Sequence, residues 1–196
     1  MKTHKIKVNS SGMGMEEARN AAEKFAKETG LDQRRSLRVR LLAEETLAMV
    51  RAIVLDFEAE FWLEKIPRGI LLRLEAETPM DILKKQDLIA ASSRKENSAS
   101  VGIMGKIRDF IEDSCYGFNR MSDISHGMGA MLAISDTCTW TLHQYRDDLE
   151  HAQSEEEPAM ADALAELEHS IVANIADDIR VAVKGNHVDM TIEKIW

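Results

Sequence analysis

The spacing of apolar residues changes period several times along the chain, which predicts helices that alternate with strands. Residues 4–8 place isoleucine and valine between lysines, as in a short strand. Apolar residues then recur at helical spacing over residues 15–29, and Gly30 follows in the position of a helix stop signal. Helical spacing continues over residues 34–54, which predicts a long second helix.

Two later segments return to a period of two and predict hairpins. Residues 59–64 and 70–76 alternate apolar with polar side chains, and the short connection between them contains proline and glycine. Residues 179–183 and 188–192 alternate in the same way around a Lys-Gly-Asn turn. The chain is therefore expected to end on a second hairpin.

The segments between the two hairpins are less regular. A helix start is predicted at residues 78–81, a polar surface loop at 92–98 and a glycine-containing irregular stretch at 116–131. Residues 137–142 have the β-branched and aromatic composition of a strand. The acidic run at 155–157 favours a helix start, because negative charge there complements the helix dipole. The buried stripe of this last helix is expected to be Leu164, Leu167, Ile171 and Ile175.

This order of elements predicts an α+β fold. Strands do not alternate one-for-one with helices, so a parallel α/β sheet is not expected. We predict a two-layer sandwich in which helices cover one face of a mixed sheet. With 196 residues and no internal repeat, residues 1–196 are interpreted as a single domain.

The long helix over residues 34–54 contains the first candidate for function. Its apolar arc is predicted to comprise Leu37, Leu41, Leu42, Ala48, Met49 and Ala52. Glu44 is expected to face solvent, whereas Glu45 projects into this arc with Arg38 two turns earlier. Burying a carboxylate is costly unless a partner or a ligand compensates it, so Glu45 is a candidate catalytic or ligand-binding residue. The alternative is an Arg38–Glu45 ion pair with only a structural role.

Composition excludes several classes of protein. Hydrophobic residues make up 44% and charged residues 30%, which indicates a folded globular chain. The formal net charge of −9 argues against binding to nucleic acid, and no apolar run is long enough to span a membrane. The start of the chain lacks the apolar core of a signal peptide, so a cytoplasmic location is expected. The histidine spacing predicts no metal site, and the two cysteines, Cys115 and Cys138, are interpreted as buried free thiols.

The order of elements and one sequence segment resemble the GHKL superfamily of ATPase domains, which have the Bergerat fold. Residues 41–50, LLAEETLAMV, resemble the N-box helix of that family, which lines an adenine-nucleotide site. The region around Asn97, and Gly102, Gly105 and Lys106, resemble the lid and second glycine box, so residues 92–131 are interpreted as lid-like. The resemblance implies ATP or ADP as ligand and Glu45 in the position of the water-activating glutamate.

Two departures from the family pattern argue against hydrolysis. Met49 occupies the position of the asparagine that holds magnesium, and a thioether is a poor ligand for a hard cation. The glycine-containing box after the second hairpin strand, whose aspartate reads the adenine, is also absent from the sequence, and Asp81 or Glu77 would have to replace that aspartate. We therefore expect no metal site, and we expect binding without turnover.

Three functions remain open at this point. The first is a degenerate GHKL-type domain that binds an adenine nucleotide weakly for regulation, through Glu45, Met49, Asp81, Asn97, Gly102, Gly105 and Lys106. The second is a protein-interaction module of the anti-sigma or kinase-control type, which acts on a protein partner or as a homodimer without nucleotide. The third is an active ATPase or kinase.

Overall fold

The structure is a computed structural model that describes residues 1–53, 57–77, 107, 110, 111, 137–152, 167, 170–184 and 187–196, with backbone alone for residues 49–53, 151 and 152. The described residues form six strands and four helices. In chain order these are β1 (Ile6–Asn9), α1 (Met15–Glu28), α2 (Gln33–Ile53), β2 (Glu58–Ile66), β3 (Gly69–Glu77), β4 (Cys138–Thr141), α3 (Leu142–Ala152), α4 (Ile171–Ile175), β5 (Asp178–Lys184) and β6 (His187–Ile195). The predicted α+β class is confirmed, as are the two hairpins and the strand near residue 140. Cys138 is a free thiol at the start of that strand, but it is exposed, so the prediction that it is buried was wrong.

The six strands form one sheet in the order β1-β2-β3-β6-β5-β4. All described pairings are antiparallel, so the expectation of a mixed sheet was wrong. The reason lies in the connections. Two helices, α1 and α2, return the chain from β1 to its antiparallel neighbour β2, and strands joined by a short connection, β2 to β3 and β5 to β6, pair antiparallel.

The described elements have a two-fold pattern that the sequence does not reveal. Among the described elements, the first half runs β1-α1-α2-β2-β3 and the second runs β4-α3-α4-β5-β6, so each begins with a strand, continues with helices and ends in a hairpin. Between α3 and α4 the structure describes only Leu167, which is helical, and Ser170. The sheet order is the same when read from either edge, with β3 and β6 at the centre. The halves are unequal, because α2 has 21 residues and α4 has five.

The core lies between one face of the sheet and the helices. Alternate residues of the strands point into it, among them Phe61, Leu72, Val181 and Met190. Buried residues of α1, α2, α3 and α4 belong to the same hydrophobic cluster, which also contains Ile107, Ile111 and Leu167. The described helices therefore cover one face of the sheet, as predicted. We call the other face, which no described helix covers, the open face.

The connection from β1 to α1 depends on a glycine. Gly14 has a φ of 73° and precedes the first residue of the helix, Met15. A Cβ atom on Gly14 would overlap the backbone carbonyl oxygen of Lys7 in β1. Gly30, after the end of α1, has a similar φ of 76° but has open space around it. Both glycines supply a left-handed turn, but only Gly14 also lets two backbone segments approach closely.

One predicted helix differs from the structure. The stripe expected to include Ile171 is not continuous, because Ser170 interrupts the helix and begins α4 by accepting a hydrogen bond from the Ala173 amide at 3.3 Å. Ile171 is 51% exposed, and Val172 and Ala173 are buried instead. The helix start predicted at 78–81, the loop at 92–98, the irregular stretch at 116–131 and the acidic run at 155–157 lie outside the described residues. Within the described part of the chain, no helix has the length and apolar composition needed to cross a membrane.

Candidate functional site

Helix α2 begins at a capped end and packs on the core with one face. The Asp32 carboxylate accepts a hydrogen bond from the Arg35 amide at 2.8 Å, as an N-cap residue does. The buried face comprises Val39, Leu42, Ala43, Thr46 and Leu47, with spacings of three and four residues. The Thr46 hydroxyl donates to the Leu42 carbonyl at 2.6 Å, so this buried polar group is satisfied inside its own helix.

The apolar arc predicted for α2 is therefore not the face that the fold buries. Leu37 is 57% exposed, Ala48 is exposed and Leu41 is only half-buried, whereas Leu42 alone of the described members of that arc is fully buried. The helix carries apolar side chains on two opposite faces, and packing against the sheet selects the face that contains Val39. The predicted arc was wrong for this reason.

Glu45 lies outside the buried face of α2. Its side chain is half-buried, and that of Arg38 is exposed. Seven residues separate the two along the helix, which corresponds to about 10.5 Å along its axis. Neither residue has an ion-pair partner among the described residues, so the alternative of an Arg38–Glu45 pair within one chain is not realised.

The outward side of α2 carries a regular stripe that the sequence interpretation missed. We use the name outer stripe for five residues that follow one another at spacings of four, three, four and three: Arg34, Arg38, Leu41, Glu45 and Ala48. Arg40 and Glu44 lie beside the stripe and pair with each other at 3.3 Å. The sequence shows this stripe as a repeat of seven residues, in which the arginines lie in the first half of the stripe and the glutamate in the second.

The structure describes only part of the site that the resemblance implies. The backbone of Met49 is part of α2, one turn after Glu45, and its side chain is not described. Asp81, Asn97, Gly102, Gly105 and Lys106 lie outside the described residues. Of the predicted site, the structure therefore brings together Glu45 and the helical position of Met49.

The open face of the sheet carries rows of charged side chains. A central row runs across β2, β3, β6 and β5 through Trp62, Arg73, Thr191 and Arg180. Acidic residues dominate the rows on both sides, which contain Glu60, Glu75 and Asp189 on one side and Glu64, Glu193 and Asp178 on the other. The alternation of apolar and polar residues in the sequence predicts such a face, but the rows themselves depend on the register between strands.

Lys5 bridges two acidic residues that are directly opposed on the open face. Glu60 and Glu75 are directly opposed on β2 and β3, an arrangement that destabilises a sheet when both are charged. The Lys5 ammonium donates to Glu60 at 2.8 Å and to Glu75 at 2.7 Å. The hydrogen bond to Glu60, followed by the one to Glu75, raises the pKa of Lys5, and the same bond lowers the pKa of Glu60.

Trp62 is buried although it lies on the open face. The ammonium groups of Lys2 and Lys5 lie over its ring, 4.8 and 4.4 Å from the centroid. The indole nitrogen donates to the Glu64 carboxylate at 2.6 Å. This hydrogen bond, followed by the one from Lys2, lowers the pKa of Glu64.

A concavity of about 400 Å³ lies on the open face, and Arg73, Thr191 and Arg180 of the central row line it. Its charged lining consists of Arg73, Arg180, Asp178, Asp189 and Glu193. Two cations and three anions nearly cancel, and Arg180 already pairs with Asp178 at 3.5 Å. The lining therefore carries both signs of charge, with a formal sum of −1.

The described residues contain no group of three or more histidine, cysteine or acidic side chains that could hold a metal ion. No family model, curated protein or solved structure matches the chain.

Proposed function

We propose that this chain is a cytoplasmic regulatory domain of the GHKL type that binds an adenine nucleotide weakly beside α2 and does not hydrolyse it. The observation that carries the proposal is the half-buried Glu45, which has no ion-pair partner among the described residues and lies one helical turn before Met49. The order of the described elements, in which a long helix packs on a sheet of two hairpins with β1 and β4 at its edges, supports the same proposal.

The donor set does not fit magnesium. A methionine sulfur at position 49 is a soft ligand, and magnesium takes hard oxygen ligands in octahedral geometry. Without a cation between them, the Glu45 carboxylate repels the phosphates of a nucleotide. We therefore propose that ADP binds at least as tightly as ATP, and that Glu45 activates no water. In this proposal Asp81, Asn97, Gly102, Gly105 and Lys106 supply the remaining contacts, as the family resemblance implies.

The second candidate is a protein-interaction module that works without nucleotide. The outer stripe of α2 favours it, because the half-buried Leu41 and the exposed Ala48 alternate there with charged side chains at the period of a helix-packing seam. The first candidate binds a nucleotide, and the second binds a protein. The net charge of −9 continues to argue against nucleic acid.

Isothermal titration calorimetry with ATP and ADP, each in magnesium and in chelator, tests the nucleotide proposal. We expect weak binding that is the same in both conditions and no nucleotide turnover. Met49→Asn should introduce magnesium dependence, because it restores an oxygen ligand. Met13→Asn, at an exposed position before α1, is the matched control and should change nothing. Strong magnesium-dependent ATP hydrolysis that Glu45→Gln abolishes would instead establish an active ATPase, and no binding of either nucleotide would leave the interaction module.

A further inference from the structure

The outer stripe of α2 has a distribution of charge that is complementary to itself. Its first half exposes Arg34 and Arg38, its second half carries Glu45, and Leu41 lies between them. Leu37, beside the stripe, is 57% exposed. A helix face with apolar residues at the centre and opposite charges at its two ends matches a second copy of itself only when the second helix runs antiparallel.

We infer that two copies of this chain form a dimer through α2, packed antiparallel about a two-fold axis that passes near Leu41. Arg38 of each copy then lies against Glu45 of the other. The inference does not rest on nucleotide binding, although both use Glu45.

The spacing within the stripe sets this geometry. Arg38 and Glu45 are about 10.5 Å apart along the axis, which is too far for an ion pair within one helix. The midpoint between them lies beside Leu41, so a two-fold axis there brings both Arg38–Glu45 pairs together and places the two Leu41 side chains in contact. The four-three spacing of the stripe keeps it facing a second helix, as in a coiled-coil seam.

The neighbouring charges support pairing of Arg38 and Glu45 rather than of other residues. Arg40 is already bound to Glu44 at 3.3 Å and lies 3.6 Å from Glu23 of α1. Arg35 pairs with Asp32. A parallel arrangement of two α2 helices would place Arg38 against Arg38 and Glu45 against Glu45, which electrostatic repulsion disfavours.

The dimer is expected to be weak and reversible. One helix face buries less surface than the roughly 1,200 Å² at which stable interfaces begin. The two molecules also repel each other, because each has a net charge of −9, although salt at about 0.15 M limits this repulsion to about 8 Å. Association is therefore expected at micromolar rather than nanomolar concentrations.

Sedimentation equilibrium of the full chain without nucleotide, over a series of micromolar concentrations, tests the inference through a charge swap. We expect the unaltered chain to dimerise. Arg38→Glu and Glu45→Arg should each weaken the dimer at least about tenfold, because each places two pairs of like charges in the interface. The double variant should recover the dimer, because it restores both pairs with their signs exchanged.

Lys184→Glu is the matched control, since it reverses an exposed charge at the end of β5, on the open face rather than on the helix side, and should leave the dimer unchanged. Circular dichroism melts establish that each variant is folded, and Arg38→Glu is the safer single variant because Arg38 is exposed. A chain that stays monomeric at every concentration would overturn the inference. A dimer that resists both reversals, or that the double variant fails to recover while all variants are folded, would overturn it as well.

Discussion

Neighbouring leucines of α2 allow a direct test of which helix face the fold buries. Leu42 is fully buried in the core, whereas Leu41 is half-buried on the outward side of the helix. Leu42→Ala removes three carbon atoms from the core, which costs about 2.4 kcal/mol in transfer free energy before the cavity is counted. With the cavity, we expect a loss of about 3 to 4 kcal/mol in the free energy of unfolding. Leu41→Ala should cost roughly 1 kcal/mol, because much of its side chain already contacts water.

Urea unfolding, followed by the fluorescence of the three tryptophans at nanomolar protein so that self-association does not contribute, measures both losses. A loss of 3 kcal/mol corresponds to about 6 to 12 °C in melting temperature for a chain of this size. Leu37→Ala, at an exposed position of the same helix, is the control and should change little. Equal losses for Leu41→Ala and Leu42→Ala, or a larger loss for Leu41→Ala, would refute the assignment of the buried face.

Two further predictions concern the rest of the fold. Gly30→Ala should lower the free energy of unfolding by about 1 kcal/mol, because the residue has a positive φ. Gly14→Ala should cost at least about 2 kcal/mol more, because its Cβ also overlaps the Lys7 carbonyl. Equal costs of the two variants in thermal unfolding would contradict the close approach. Trp62→Phe removes the hydrogen bond that lowers the pKa of Glu64. The stability from this lowered pKa is present above the ordinary value of 4.5 and is lost as pH falls through the lowered value. The difference in free energy of unfolding between the variant and the unaltered chain should therefore shrink in acid. A difference that does not depend on pH would contradict the assigned bond.

Local sequence patterns predicted the elements whose periodicity has a single interpretation. The two hairpins alternate with a period of two on one buried face, and their strands lie where that alternation placed them. Helix α2 has apolar residues on both sides, so spacing alone could not decide which side is buried. That choice is made by contacts with the sheet, which the helix sequence does not contain.

The charged cluster on the open face was also beyond local reasoning. Lys5 contacts Glu60 and Glu75, which follow it by 55 and 70 residues, so the contact depends on two strand registers at once. The antiparallel pairing of β1 with β2 depends on how the helices between them, α1 and α2, return the chain. The sequence suggested these helices, but not the direction in which each returns the chain.

The most direct test of nucleotide binding beside α2 is methyl NMR of the methionines during an ADP titration. The Met49 signal, assigned from its loss in Met49→Leu, should shift with ADP along a curve that saturates and is the same with magnesium and with chelator. The Met13 signal, from an exposed position before α1, should stay unchanged. A Met49 signal that does not move, or that moves only when magnesium is present, would contradict the proposed magnesium-independent site.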